Sequence, residues 1–234
     1  MNIPILSPAA RRLRSASRFA KRRLGMLVND SAGHWFDIHH GVDTSGKIAG
    51  RSLQKDFANL QHVTGYQGVL ARSLRIALDR IPVPPGSVFV DIGSGKGKAL
   101  LIASTKKNIA RCVGIEFDAE LCRSAERNIE IWKRKHHPAA ELKVIVGDAS
   151  TFEFRPEYNL IFVYNPFDEV LFKQVIDNLT HAAAMAEGPA WLLYGNPRFR
   201  PLLDENPAFV HKETLRFFGP GRNIAVYEIK RGTR

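Results

Sequence analysis

The chain has 234 residues, of which 44% are hydrophobic, and its formal net charge is +11. This length and composition fit one globular domain with a short extension, and no run of about 18 apolar residues predicts a membrane-spanning helix. The two cysteines, Cys112 and Cys122, have no histidine pair nearby, so neither a disulfide framework nor a zinc site is predicted. We expect a reduced, cytoplasmic protein that holds no metal.

Positive charge is concentrated near the beginning of the chain. Seven of the 34 basic residues lie between Arg11 and Arg23, before the first acidic residue, Asp30. Apolar residues are interspersed among them, so residues 9–25 predict either a short basic helix on RNA or an anionic membrane surface, or a solvated tail. No continuous apolar run follows the arginines, and a secretory signal peptide is therefore not predicted.

The segment from Trp35 to Lys47 is too aromatic for a plain linker, and its glycines and polar turn formers predict an ordered loop rather than a helix. We expect this loop to fold over a bound ligand as a lid, with His39 or His40 near the substrate. The alternative is that the two histidines are exposed or hydrogen-bonded nearby. Residues 1–50 would then form a basic extension with a lid, and residues 51–234 the main domain.

Two amphipathic helices are predicted between residues 51 and 80. Apolar residues recur at helical spacing in residues 53–60 and again in residues 69–78. The two helices are separated by Thr64 to Gln67, and a proline-rich turn ends the second one.

The next segment carries the most informative local pattern. Val88 to Ile92 predicts a strand, helix-forming residues begin at Lys96, and Asp91-x-Gly93-x-Gly95-x-Gly97 joins them. Glycines at such a turn let the backbone approach a ligand closely. Lys98 replaces the third glycine of a dinucleotide fingerprint, no alignment gives a P-loop, and the acid would repel a phosphate. Asp91 favours a ligand with positive charge, such as an amino group or a sulfonium.

Strand and helix signals alternate through the rest of the chain, which predicts a parallel sheet covered on both faces. Asp118 is the predicted N-cap of the helix after the second strand. The predicted strands are 111–116, 142–148, 160–164 and 191–194, followed by an antiparallel pair at 209–218 and 223–229.

The glycine-rich loop closely resembles the first motif of the class I S-adenosylmethionine-dependent methyltransferases, and three later landmarks follow in order. Glu116 ends the second predicted strand, where that family places the carboxylate that holds the ribose hydroxyls. Asp148 ends the third and resembles the residue that bonds the adenine amine. Asn165-Pro166-Phe167 is similar to the Asn/Asp-Pro-Pro-aromatic motif of amino-group methyltransferases, although it has one proline rather than two.

This resemblance, which spans residues 66–230, implies a fold and a cofactor. The fold would be α/β, with a doubly wound, mainly parallel seven-stranded sheet, helices on both faces, an antiparallel C-terminal strand and an N-terminal helical extension. The cofactor would be S-adenosyl-L-methionine. The residues expected to hold it are Tyr66, Gln67, Asp91, Gly93, Ser94, Gly95, Gly97, Glu116, Phe117, Asp148, Ala149 and Asn165.

The resemblance also implies methyl transfer, with Asn165, Pro166 and Phe167 as the catalytic residues. The Asn165 side chain and the Pro166 carbonyl would accept hydrogen bonds from an acceptor amine, and Phe167 would stack on a planar group or face a cation. Alternatively, these residues form a strand-ending turn and a core plug. We expect a nitrogen of a protein side chain to be methylated. The alternatives are a small metabolite, an RNA base, or a non-catalytic nucleic-acid or membrane-surface binding protein on the same fold.

Overall fold

The computed structural model describes residues 32–49, 65–164, 167–219 and 221–231. The strands in these ranges are β1 (Lys47–Ala49), β2 (Gly65–Gln67), β3 (Ser87–Ile92), β4 (Ile109–Glu116), β5 (Glu141–Val146), β6 (Tyr158–Val163), β7 (Ala190–Gly195), β8 (Phe209–Leu215) and β9 (Ile224–Ile229). The helices are α1 (residues 32–40), α2 (Ala71–Asp79), α3 (Lys98–Ala103), α4 (Ala119–His136), α5 (Glu169–Ala184) and α6 (Arg200–Asp204).

Seven strands form the main sheet, in the order β5-β4-β3-β6-β7-β9-β8. Strand β3 pairs in parallel with β4 and β6, whereas β9 is antiparallel to both of its neighbours. The predicted α/β class with a mainly parallel seven-stranded sheet is confirmed. The chain proceeds outward from β3 in one direction through β4 and β5, and in the other through β6 and β7. Ligands of such sheets bind at the carboxyl ends of the strands where this order reverses.

Apolar side chains cover both faces of the sheet. Because successive strand residues point to opposite faces, Phe89 of β3 joins the cluster beneath α3 and α4, whereas Val88 and Val90 join the cluster beneath α5. Helix α4 begins after Asp118, whose carboxylate accepts hydrogen bonds from two backbone N–H groups of the first turn, so the predicted N-cap is confirmed. This packing holds the carboxyl ends of β3 and β4 side by side.

The segment from Trp35 to Lys47 differs from the prediction of an irregular loop, because residues 32–40 form α1. Phe36 is 7% exposed and stacks on Trp132 of α4, so a buried apolar contact favours the helix. The helix ends at Gly41, where φ is +73° and the backbone N–H donates to the Asp37 carbonyl. Glycine adopts this left-handed conformation without steric cost, which explains why the helix stops there.

A small antiparallel ribbon follows α1, with β1 paired to β2. Gly65–Gln67, predicted to separate two helices and to bring Tyr66 and Gln67 to the cofactor, forms β2, and the second predicted helix is α2. The basic segment 9–25, the helix predicted at residues 53–60 and the expected boundary at residue 50 lie outside the described residues. No helix in the described part of the chain has the length and hydropathy to cross a bilayer.

Candidate functional site

The glycine-rich loop after β3 is held against the end of β4 by its backbone. The N–H groups of Gly93 and Ser94 donate to the Ile115 carbonyl over 2.9 and 3.1 Å, and Gly95 N donates to Glu116 Oε2 over 2.8 Å. Glu116 also accepts a hydrogen bond from Asp118 N at 3.0 Å. The loop and the carboxylate after β4 therefore form one rigid unit at the reversal point of the sheet.

Two carboxylates are buried in this unit. Asp91 is 4% exposed and Glu116 is 5% exposed. Burial raises the pKa of Asp91 to about 8, with a further contribution from the charge of Glu116, and burial raises the pKa of Glu116 to about 7. None of the described residues forms a hydrogen bond or an ion pair with the Asp91 carboxylate. A buried acid without a partner is suited to a ligand that brings a positive charge.

Tyr66 covers the loop from the other side. Its ring lies so near Gly95 that a Cβ there would stand 2.3 Å from two ring carbons, and Gly95 has a φ of +53°. The sequence predicted that glycine lets a ligand approach, but at Gly95 the group that approaches is the Tyr66 ring. Tyr66 OH also donates to the Thr44 carbonyl at 2.6 Å, which joins the loop to the segment after α1.

That segment, residues 42–46, is anchored on the site by acidic side chains. Asp37 accepts hydrogen bonds from Thr44 N, Thr44 Oγ1 and Ser45 N, at 2.9, 2.5 and 2.7 Å. Lys96 of the glycine-rich loop pairs with Asp43 at 2.8 Å. We name α1 together with residues 41–46 the cover segment. It lies on the glycine-rich loop, as a lid would.

The two histidines of the cover segment lie elsewhere. His40 Nδ1 is 2.9 Å from His136 Nε2, and the His40 ring packs on Trp132. His136 is at the end of the 18-residue α4, which starts at the carboxyl edge of the sheet, so about 27 Å of helix separates the two ends. The expectation of His39 or His40 near the substrate is therefore wrong. Burial, with the charge of His136, lowers the pKa of His40 to about 4.

Three of the remaining predicted cofactor residues, Phe117, Asp148 and Ala149, follow β4 or β5 at the same edge of the sheet. Phe117 follows Glu116 and is half-buried, and Ala149 is buried. Asp148 Oδ1 accepts hydrogen bonds from the backbone N–H and the hydroxyl of Ser150, at 2.8 and 2.7 Å. Gln67 is exposed in β2. Their contacts with a cofactor stay predictions.

The predicted catalytic residues are only partly described. Asn165 and Pro166 lie outside the described residues, directly after β6 and Tyr164. Phe167 is 5% exposed and packs in the apolar cluster beneath α5. This burial favours the core-plug alternative for Phe167, because a stacking role needs an open ring face.

A basic cavity that was not predicted from the sequence lies beneath the cover segment. Its volume is about 210 Å³, and Lys47, Lys98, Gln67 and Arg222 are among the residues that line it. From the sequence, Lys98 was noted only as the residue that replaces the third glycine of a dinucleotide fingerprint, yet it is only 4% exposed. Its position directly after Gly97, the last glycine of the loop, is the sequence feature that could have indicated a place at the site.

The residues at the β3–β4 edge fit S-adenosyl-L-methionine. The partnerless Asp91 carboxylate suits an ammonium group, and a Glu116 oxygen can accept hydrogen bonds from hydroxyls. Ser94 Oγ is buried without a hydrogen-bond partner, so a further polar group is available in the loop. A phosphate ligand would instead face two buried carboxylates. In the described ranges, no group of three or more His, Cys, Asp or Glu residues could hold a metal ion.

Comparisons with solved structures show the same fold. A candidate S-adenosyl-L-methionine-dependent methyltransferase from Methanococcus maripaludis is 14% identical, with a TM-score of 0.51 over 70% of this chain and 85% of that one. A candidate RNA methyltransferase from Pyrococcus horikoshii is 17% identical, with a TM-score of 0.50 over 70% and 84%. No curated protein matches the sequence.

A family model also matches the chain. The model is described as histone methylation protein DOT1, and it matches residues 53–182. The matched residues include the glycine-rich loop, Glu116, Asp148 and residues 165–167, and they make up more than half of the chain. The protein therefore belongs to the DOT1 histone methylation family of S-adenosylmethionine-dependent methyltransferases, and S-adenosyl-L-methionine is its cofactor.

Proposed function

We propose that this protein transfers a methyl group from S-adenosyl-L-methionine to a nitrogen of a protein side chain. The observation that carries the proposal is the family match over residues 53–182, because the matched family is described by histone methylation. The acceptor motif predicted for amino-group methylation, at residues 165–167, lies inside the matched range. It directly follows β6, which borders β3 at the reversal point of the sheet.

Each residue of the site has a proposed task. S-adenosyl-L-methionine supplies a methyl group that is already activated on a sulfonium, so the protein needs chiefly to orient the acceptor and exclude water. Asp91 would accept hydrogen bonds from the ammonium of the methionine part, and Glu116 from the ribose hydroxyls. Asp148 would accept from the adenine amine. Asn165 and the Pro166 carbonyl would direct the acceptor nitrogen.

The cover segment would exclude water from this site. It is bound to the glycine-rich loop by the Lys96–Asp43 pair, and to Tyr66 of β2 by the hydrogen bond from the Tyr66 hydroxyl to the Thr44 carbonyl. We therefore propose that residues 1–50 act as a basic extension with a lid, and that residues 51–234 form the methyltransferase domain. Opening of the lid would require both contacts to break, together with the two hydrogen bonds between Asp43 and Asn128 of α4.

An RNA base is the second candidate acceptor, and one specific observation favours it. The seven basic residues between Arg11 and Arg23 form a dense positive run, as in many RNA-binding extensions. Binding through such a run depends steeply on salt concentration. The family match outweighs this charge pattern, since a basic extension serves equally to attract an acidic protein.

A labelled-methyl experiment tests the proposal. Purified full-length protein would be incubated with cell extract and S-adenosyl-L-methionine that carries a tritiated methyl group. We expect label in material that a protease degrades and a nuclease leaves intact, and its hydrolysate should contain a methylated basic amino acid. The Asp91→Asn variant should give no label, whereas Lys107→Met, at an exposed position, should match the wild type. Label only in nuclease-sensitive material would contradict the proposal.

A further inference from the structure

The cavity beneath the cover segment is lined by positive charge. Lys47, Lys98, Arg222 and His34 contribute to its wall, and no carboxylate residue is among the described residues that line it. Its volume of about 210 Å³ is enough for a small polar group together with a few water molecules. The residues that line the cavity are therefore basic, whereas Asp91 and Glu116 nearby are acidic.

Lys98 is the unusual member of this wall. It is 4% exposed, yet its ammonium forms no hydrogen bond or ion pair with any described residue. Its Nζ atom lies over the face of Phe36, 4.7 Å from the ring centroid. Burial lowers the pKa of Lys98, and the charge of Asp37 acts in the opposite direction.

Asp37 compensates this ammonium only in part. Its carboxylate oxygens already accept three hydrogen bonds from Thr44 and Ser45, and it lies beyond ion-pair distance from Lys98. A lysine ammonium has three N–H donors, and a buried charge without partners is costly. An anion in the cavity would satisfy these donors.

Arg222 connects the cavity wall to Tyr164 at the end of β6. Arg222 follows Gly221, whose carbonyl accepts a hydrogen bond from Tyr164 OH at 2.8 Å. Tyr164 directly precedes Asn165 and Pro166, which are predicted to direct the acceptor nitrogen. Of the residues predicted to hold the cofactor, Gln67 contributes to the described wall, whereas Asp91, Glu116, Phe117 and Asp148 do not.

We propose that this cavity binds a carboxylate of the methyl acceptor, with Lys98 as the principal contact. The inference rests on the proposed function and narrows it: the acceptor would be a protein segment that carries an acidic side chain or a chain-terminal carboxylate near the methylated nitrogen. Lys98 would then contribute to the choice of acceptor. It would bind the acceptor carboxylate and take no part in methyl transfer.

The test measures binding and needs no identified acceptor. Acetate would be titrated at constant ionic strength into the full-length protein saturated with S-adenosylhomocysteine, and the thermal unfolding midpoint would be followed. We expect a saturable rise for the wild type and for Lys107→Met. Lys98→Met should bind acetate about tenfold more weakly or worse, because a hydrogen bond to a charged group is lost. Met matches the length of the lysine stem, and the melting curve of the variant reports directly whether it folds.

Two results would overturn the inference. If acetate and S-adenosylhomocysteine compete, and Lys98→Met weakens S-adenosylhomocysteine but not 5′-methylthioadenosine, the cavity holds the carboxylate of the cofactor instead. If acetate has no saturable effect on the wild type, Lys98 is a structural residue. Neither result depends on where the labelled methyl group goes, so failure of this inference and failure of the proposed function are distinguishable.

Discussion

The two sides of the site bury ionisable groups of opposite kinds, acids on one side and a base on the other. On the β3–β4 side, Asp91 and Glu116 are buried carboxylates with raised pKa values, and Asp91 has no partner among the described residues. On the other side, beneath the cover segment, Lys98 is a buried ammonium, equally without a described ion pair. Buried charges in proteins usually pair with each other. Their separation here indicates that each side is built for the charge of a ligand.

Tyr66 stands between the two sides. Its ring packs on Gly95 of the acidic side, and its hydroxyl bonds to Thr44 of the cover segment. Burial raises its pKa far above the ordinary value, and the charges of Asp37, Asp43, Asp91 and Glu116 add to this effect. Tyr66 is therefore a neutral partition, and the two sides can be perturbed separately.

Substitution of Asp91 by Asn should have the largest effect. We expect the affinity for S-adenosyl-L-methionine to fall about 100-fold or more, because a charge-assisted contact is lost and a buried amide replaces it. Titration calorimetry measures this fall. An unchanged affinity would mean that Asp91 does not bind the ammonium.

The same variant should be more stable without ligand at high pH. The pKa of Asp91 is raised in the folded state, so its contribution to stability is present near pH 4 and is lost as the pH rises through about 8. Removal of the charge should raise the melting temperature at pH 8, by about 2–4 °C for each kcal/mol gained in the free energy of unfolding. At pH 4 the melting temperature should be unchanged. Equal shifts at the two pH values would contradict this assignment.

Substitution of Gly95 by Ala should displace the cover segment from the glycine-rich loop. Gly95→Ala places a Cβ against the Tyr66 ring at a positive φ, so we expect a loss of about 1–3 kcal/mol of stability and a displaced cover segment. Hydrogen exchange at residues 42–46 measures the displacement. In the double variant with Tyr66→Ala, the loss of stability should be smaller than the sum of the two single losses, and strict additivity would refute the contact.

Cofactor binding should depend on pH, because it favours the ionised form of Asp91. With the pKa of Asp91 near 8 in the free protein, binding below that pH should release a proton. The affinity should rise by up to about tenfold per pH unit between pH 6 and 8. Calorimetry at pH 7 in buffers of different ionisation enthalpy counts the protons, and the Asp91→Asn variant should release fewer.

His40→Ala should have the smallest effect on the reaction. His40 lies at the far end of α4, where it contacts His136 and Trp132, so turnover at saturating substrate should change less than about twofold. The melting temperature should fall modestly, since the cover segment loses an aromatic contact. A large drop in turnover with an unchanged melting temperature would indicate that His40 takes part in the reaction.

Local sequence patterns predicted the sheet and the acids at its edge. A buried strand such as β3 is recognisable from its own residues. An acid followed by spaced glycines predicts a turn, because the turn depends on neighbouring residues and not on distant contacts. The same locality explains the Asp118 cap, since a helix start is determined within one turn. The error at residues 35–47 arose because α1 is stabilised by a contact between Phe36 and Trp132, which are far apart in sequence.

The sequence by itself determined the class of fold, the methyltransferase class and the set of carboxylates predicted to face the cofactor, because each depends on short-range periodicity and motif spacing. Only the tertiary structure decided that Tyr66 fills the space above Gly95, that His40 lies far from the site, and that Lys98 lines a cavity. These features depend on contacts between segments distant along the chain, and side-chain packing, rather than local propensity, selects them.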